Sequence, residues 1–323
     1  MSYAIRFHSH GGPDVLQWEP IEVGDPAPDQ VRLRHTAIGL NFLDVYERTG
    51  LYQVNLPAIP GREAAGVIEA VGSRIKQLRV GDRVAYAAHQ SGAYSQARLM
   101  PADRLVKLPD TISDEQAAAL MLKGLTAQVL LRQTYRVRSK EIVLVHAAAG
   151  GMGSLLVQWA KHLGTTVIAT VGTESKVQRV RELGADHVLL TQGDWSAQVK
   201  ERAGGRGVDV VYDSVGKDTF EGSLNALRPR GMMVTFGNSS GPVPPIAPLE
   251  LTKRGSLFLT RPTLFHYLET RRELERAAKE LFDVVSRSVV QVQIGQTYAL
   301  KDAATAHRDL EARRTTGSTV LLP

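Results

Sequence analysis

The pattern of hydrophobic and polar positions along this chain changes its period once, near residue 110. Before that point, short apolar or alternating runs at 3–7, 16–19, 30–40, 64–71, 83–87 and 94–99 have strand character. Turn-rich segments such as Gly11-Gly12-Pro13-Asp14 and Gly24-Asp25-Pro26-Ala27-Pro28 separate them. Residues 41–48 are the exception, a pattern of one or two helical turns stopped at Gly50. Many short strands with Gly and Pro between them predict a compact barrel-like or sandwich unit.

After Pro109 the pattern turns helical and then alternates. Ser113 and Gln116 have the spacing of a capping box for a helix through Leu122, and 125–132 continues with helical spacing. Six candidate strands follow at 142–146, 167–171, 187–190, 208–212, 232–236 and 257–260, most of them separated by helical stretches around 155–163, 176–183, 195–203 and 219–227. That alternation predicts an α/β fold with a doubly wound parallel sheet. Beyond Pro262 come a helical pattern at 269–286, a strand-like 289–294, a helix near 302–313 and a strand at 319–322. The parallel sheet already has its strands, so the tail is expected to return to the first domain. The expected division is 1–123, 124–262 and 263–323.

The first strand of that sheet runs into IVLVHAAAGGMG at 142–153. Ala148-x-Gly150-x-x-Gly153 is a variant of the dinucleotide fingerprint, in which small residues let the backbone approach a pyrophosphate at a helix N-terminus. The spacing by itself fits an ordinary strand-to-helix turn equally well; the regular series of strands after it raises the nucleotide reading. Composition narrows the chemistry. The 323 residues are 43% hydrophobic and 22% charged, enough for two medium cores. There is no cysteine, which excludes disulfides, thiolate nucleophiles and every cysteine-based zinc site. A net charge of +6 is too diffuse to read as a nucleic-acid surface. No run is long and apolar enough to span a bilayer and no secretory signal pattern is present, so a cytoplasmic protein without a membrane partner is expected.

GLNFLDVYERTGLY at 39–52, PGREAAGVIEAVG at 60–72, VGDRVAY at 80–86, KGLTAQ at 123–128, HAAAGGMGSLLVQWAK at 146–161, VYDSVG at 211–216 and FGNSSG at 236–241 occur in this order, with TRP at 260–262 and Thr316-Gly317-Ser318 after them. Together they resemble the zinc-free quinone oxidoreductases, the ζ-crystallin-like branch of the medium-chain dehydrogenase/reductase superfamily. The resemblance implies a Rossmann domain inserted in a GroES-like catalytic domain, NADPH as reductant, a quinone as substrate and a homodimer.

Residues support the cofactor preference independently. The second strand of the parallel sheet ends Val171-Gly172-Thr173-Glu174-Ser175-Lys176, without the acid that an NAD site normally places at that strand end. Thr173, Ser175 and Lys176 can donate to a 2′-phosphate, which Glu174 would repel if it turned inward. The resemblance implies that Lys176 and Arg313 contact that phosphate and that Asn41 and Tyr46 lie near the nicotinamide. It further assigns cofactor contacts to Thr126, Gly150, Gly151, Met152, Gly153, Gly172, Ser214, Phe236, Gly237 and Asn238. Thr191 stands where close relatives often carry a tyrosine. No family-type metal site is expected, since the Gly-His-Glu segment of the zinc enzymes reads Gly61-Arg62-Glu63 here.

Without a metal, a strongly electron-accepting quinone is the substrate that needs least help. Hydrogen bonds from Tyr46, Tyr52 or Asn41 are expected to stabilise the hydroquinone anion, whether electrons pass as hydride or singly. Bland readings stand beside these: Asn41 as a helix cap, Tyr46 as core filler. Two other functions stay open. One is reduction of an activated C=C bond in enals or enones; the other is a non-catalytic NADPH- or RNA-binding role, for which Arg132, Arg136, Arg138 and Lys140 supply charge without interleaved aromatics.

Overall fold

The computed structural model describes all 323 residues, which cluster into two compact units: Met1–Leu125 with Leu268–Ser286 and Val292–Pro323, and Thr126–Tyr267 with Arg287–Gln291.

The chain begins with an antiparallel pair, β1 (Ser2–Arg6) and β2 (Gln17–Ile21). β3 (Gln30–Leu40) follows, then α1 (Phe42–Thr49), β4 (Glu63–Val71), β5 (Arg83–Ala87), β6 (Ala97–Pro101), β7 (Val106–Lys107) and α2 (Asp114–Val129). Along β3 every second side chain is buried until Ile38–Leu40, where burial becomes continuous. The expected capping box at the start of α2 is present: Ser113 N–H donates to Gln116 Oε1 at 3.0 Å, and Gln116 N–H to Ser113 Oγ at 3.1 Å. α2 then runs unbroken to Val129 and closes in a π-turn over Leu130–Thr134, so the two helical segments read from the sequence are one.

The next stretch alternates: β8 (Ile142–Val145), α3 (Gly151–His162), β9 (Thr166–Val171), α4 (Val177–Glu182), β10 (His187–Leu190), α5 (Trp195–Arg202), β11 (Val208–Asp213), α6 (Phe220–Ala226), β12 (Leu227–Thr235), α7 (Pro248–Lys253), β13 (Phe258–Thr260) and α8 (Leu264–Tyr267). Its six strands pair in parallel in the order β10-β9-β8-β11-β12-β13. β8, the first in sequence, lies between β9 and β11, so the winding reverses there; a crevice at the carboxyl ends of such a strand pair is where open α/β sheets take ligands. A core of Leu144, Ile168, Val211, Phe220, Met233 and their neighbours packs this unit.

The chain closes with α9 (Arg271–Ser286), β14 (Ile294–Ala299), α10 (Ala303–Glu311) and β15 (Ser318–Leu322). These strands complete the large sheet of the first unit, ordered β14-β15-β3-β4-β5-β7, with β6 also paired to β3. Its core gathers Phe7, Leu33, Ile38, Ile68, Tyr86, Tyr94 and Leu321.

Two of the differences from the sequence pattern have a visible reason. The strand expected at 94–99 begins at Ala97, because Tyr94 N–H is taken by Pro60 O at 2.9 Å. The strand-like 289–294 is not a strand before Ile294: Gln158 reaches both main-chain groups of Gln291, donating to its carbonyl at 3.1 Å and accepting from its N–H at 2.9 Å. No helix is long and apolar enough to cross a membrane.

Candidate functional site

In the first unit the polar chemistry gathers where β3 ends and α1 begins. Asn41 is the N-cap of α1, and the Asp44 carboxylate reaches back to accept the Asn41 main-chain N–H at 2.9 Å, the reciprocal arrangement of a capping box. Asn41 Nδ2 also donates to Glu63 Oε1 at 2.8 Å. Glu63 opens β4 with no solvent exposure, and its carboxylate is fully engaged: Lys123 Nζ donates to Oε1 at 2.8 Å and Leu122 N–H to Oε2 at 2.6 Å. Gly39 makes room for it. A Cβ there would lie 2.3 Å from Glu63 Oε1 and 2.2 Å from the Ala118 carbonyl. Lys123 also donates to the Leu40 carbonyl at 3.3 Å. The ion pair is buried, and it is anchored by three hydrogen bonds besides its own contact, those of Asn41 Nδ2, Leu122 N–H and the Leu40 carbonyl, so its desolvation is offset by geometry.

A second chain of polar groups backs the first. Arg48 Nη1 donates to His307 Nδ1 at 2.9 Å, so that nitrogen is an acceptor and Nε2 carries the imidazole proton. Nε2 then donates to Tyr94 Oη at 3.1 Å, and the Tyr94 hydroxyl donates to Asp44 Oδ2 at 3.0 Å. Burial, followed by the nearby Glu47, pushes the Asp44 carboxyl up to about 7. Burial, helped by the Arg48 charge, holds His307 down at about 3, which agrees with a neutral ring. Burial and the adjacent Asp44 also push the Tyr94 hydroxyl up. Arg62, in the position where zinc enzymes carry histidine, is paired with Glu47. No group of three or more His, Cys, Asp or Glu side chains converges in a way that would hold a metal ion.

Tyr46 is buried on α1 and meets Tyr52 edge-on, with ring centroids 5.3 Å apart; Tyr52 keeps 37% of its surface exposed. The Phe42 ring lies 6.2 Å from that of Tyr46. Phe42 and Tyr46 lie on α1 and Tyr52 just past its end.

In the second unit the turn from β8 into α3 carries the glycine series. Ala147 sits in the left-handed region at φ 50°, a conformation that costs a non-glycine residue on the order of 1 kcal/mol and that recurs at functional turns. Gly153 is dictated by packing: a Cβ would lie 2.4 Å from the Ala147 carbonyl and 2.6 Å from Ala148 Cα. Gly150 caps α3 without any side chain, so the first-turn amides at Gly151, Met152 and Gly153 are left for an outside acceptor. At the end of β9 a Cβ on Gly172 would meet nothing within 4 Å, and Thr173 and Ser175 share a hydrogen bond of 3.1 Å. Lys176 ends the single turn Glu174–Lys176 before α4, and Glu174 is exposed. An amide-rich helix start, open backbone at Gly172 and a lysine past the strand end fit a phosphorylated dinucleotide.

The later strand ends are organised by a buried acid that the sequence reading did not single out. Asp213 Oδ1 accepts the N–H groups of Val215 at 2.8 Å and Gly216 at 3.0 Å, and Thr219 Oγ1 donates to both of its oxygens. This shapes the turn bearing Ser214. Arg261 donates to Thr235 Oγ1 at 3.1 Å and to the Gly237 carbonyl at 3.0 Å, fixing the Phe236-Gly237-Asn238 segment. Thr126 is half-buried in α2, and Thr191 follows β10 with its N–H on the Val171 carbonyl at 3.0 Å. Arg313, exposed after α10 with φ 59°, belongs to the first unit. Asp44, Glu63, Lys123, Asp213 and His307 are the site-shaping residues that pattern reading missed. Four of them, all but His307, lie inside the motif segments at 39–52, 60–72, 123–128 and 211–216, where a charged residue next to small or apolar ones was the available signal.

A β-rich unit completed by the C-terminal segment, together with a six-stranded parallel sheet carrying a glycine turn, defines a medium-chain dehydrogenase/reductase. Residues 27–110 match the alcohol dehydrogenase GroES-like domain family and 151–283 the zinc-binding dehydrogenase family. The chain is 49% identical to a quinone oxidoreductase of Pseudomonas aeruginosa, with all of both chains covered. It is 49% identical to a 2-haloacrylate reductase of Burkholderia sp, covering 100% of this chain and 99% of the other. The crystal structure of Escherichia coli quinone oxidoreductase complexed with NADPH superposes with a TM-score of 0.97 at 48% identity, over 99% of this chain and 100% of that one. The chain belongs to the quinone oxidoreductase family.

Proposed function

We propose that this protein is a zinc-independent reductase that passes reducing equivalents from NADPH to quinones. The observation that carries the reading is its full-length likeness, near half identity, to quinone oxidoreductases, one of them solved with NADPH. When bound, NADPH supplies an electron pair and one hydrogen, the second hydrogen of the hydroquinone coming from water.

The chain's own residues supply binding and orientation. The α3 N-terminus and its glycines receive the pyrophosphate; Thr173, Ser175, Lys176 and Arg313 are proposed to receive the 2′-phosphate. Gly172, Ser214, Phe236, Gly237, Asn238 and Thr126 are proposed as further cofactor contacts, with Asn41 and Tyr46 toward the nicotinamide. The Tyr46 and Tyr52 hydroxyls are the proposed neutral donors to the acceptor's oxygens, on two rings that meet edge-on.

Reduction of an activated C=C bond is a second reading, favoured by the equal likeness to the 2-haloacrylate reductase. A homodimer is also proposed: β13 is an edge strand, and Phe258 on it is 55% exposed. We place the protein in the cytoplasm, where NADPH is regenerated.

The test is initial-rate oxidation of NADPH and of NADH, with EDTA present, offering 1,4-benzoquinone, a polycyclic ortho-quinone and 2-chloroacrylate in parallel. Quinone turnover that survives chelation and is slow with NADH is the expected result. Turnover of 2-chloroacrylate alone would replace the quinone reading with the second one, and tight NADPH binding without any turnover would remove the enzyme reading.

A further inference from the structure

The Lys123 ammonium has a donor to spare beside a carboxylate whose two oxygens are both committed. Its three N–H groups meet two protein acceptors, Glu63 Oε1 at 2.8 Å and the Leu40 carbonyl at 3.3 Å. The side chain keeps 10% of its surface, against none for its partner Glu63. The ammonium thus has one N–H more than these two acceptors take up, on a side chain that is not wholly enclosed.

The position is fixed as well as open. Lys123 projects from the middle of α2, a helix whose capping box and buried Ala117–Leu122 turns leave it little freedom. Glu63 is also held by Asn41 Nδ2, on the same oxygen as Lys123, and by Leu122 N–H on the other, so the carboxylate that orients the ammonium is itself locked. A preorganised cation of this kind, in a largely dry place, stabilises negative charge that develops nearby without having to reorient. An ionised donor also makes a hydrogen bond roughly twice as strong as a neutral hydroxyl does.

Resting on the quinone reading above, we infer that Lys123 is a catalytic residue: its free N–H meets the acceptor oxygen that gains negative charge during reduction. No bond at Nζ forms or breaks, and the ammonium keeps its three protons. The electron pair arrives with the hydrogen delivered to the acceptor, and the oxygen's proton comes from water. Glu63 is the positioning residue, acting through Lys123.

The test uses Lys123→Met, Lys123→Arg and the double variant Lys123→Met/Glu63→Gln, which leaves no unpaired buried charge behind. The first readout needs no turnover: affinity for 4-nitrophenolate, a ring bearing an anionic oxygen, followed by its absorbance at a pH where it is ionised. The second is the NADPH dissociation constant from protein fluorescence, and the third kcat and KM for 1,4-benzoquinone. Both Met variants should bind 4-nitrophenolate at least ~30-fold more weakly and lose about 10²–10³ in kcat, with the NADPH constant within about threefold of wild type and partial rescue by Lys123→Arg. Wild type that fails to bind 4-nitrophenolate, or a folded Met variant that matches wild type within about threefold, overturns the inference. Wild type that binds the phenolate but reduces no quinone would instead overturn the function proposed above, with the phenolate result still deciding the role of Lys123.

Discussion

Replacing Asp44 by Asn should change how stability depends on pH, and by an amount the structure sets. Asp44 is wholly buried, and its carboxyl titrates at about 7 in the folded chain against 3.8 for an ordinary aspartate. A carboxyl raised on folding favours the folded state most when it is protonated. Its stabilising contribution is therefore fully present below 3.8, is lost as pH rises toward 7, and is absent above that. Each pH step in the window is worth about 1.4 kcal/mol, so the whole excursion is about 4 kcal/mol. The amide introduced by Asp44→Asn can still accept from the Asn41 N–H and the Tyr94 hydroxyl but carries no charge into the core. Urea unfolding of wild type and Asp44→Asn at pH 5, 6, 7 and 8 gives the difference in stability directly. The variant should gain on wild type by about 3 kcal/mol between pH 5 and pH 8, and the difference should level off above that. His35 and His307, held down at about 3 by burial, run the opposite way: their neutral forms favour the fold above 6.5 and that contribution is lost on acidification. Both remain in each protein and cancel in the difference. A stability difference that stays constant within about 0.5 kcal/mol from pH 5 to 8 would refute the assignment.

Three further perturbations test other parts of the structure. Gly153→Ala forces a Cβ into the Ala147 carbonyl, so it should destabilise the nucleotide unit by about 1–3 kcal/mol; thermal melts should show a lower midpoint, and an unchanged one would contradict the packing. Lys176→Ala should weaken NADPH binding about 10–100-fold and leave NADH almost untouched, as read by fluorescence titration; equal effects on both nucleotides would remove the 2′-phosphate role. Tyr46→Phe and Tyr52→Phe should each lower kcat/KM for benzoquinone by about 3–10-fold, well short of the loss at Lys123, because each removes only a neutral donor; wild-type values in both would exclude the hydroxyls as donors.

Much of the fold was legible because it rests on local signals. Period and punctuation marked the parallel strands, and Ser113 with Gln116 marked the helix start that the structure contains. What escaped was decided at a distance. Gln158, from α3, takes over the main chain of Gln291, so an apolar run that reads as strand is not one. α7 and α8, of six and four residues, are too short to show a period. The glycine turn was readable because its spacing is local, whereas the polar cluster joins residues 22 and 82 positions from Asn41, at Glu63 and Lys123, and no pattern along the chain reports that contact. His307, on α10, is the middle of a chain linking Arg48 to Tyr94, and the sequence around it carries no sign of that.

The place of β15 has a consequence for biosynthesis. It lies between β14 and β3, pairing Thr319, Val320 and Leu321 with Leu40, Gly39 and Ile38. A growing chain therefore holds every residue of the dinucleotide unit once Gln291 has been made, while β3 waits with an open side until Leu322. The unit that starts first is finished last, against the usual order in which domains fold as they emerge. During that interval the β3 segment that leads into Asn41 is an unpaired apolar edge, the kind of surface that chaperones cover.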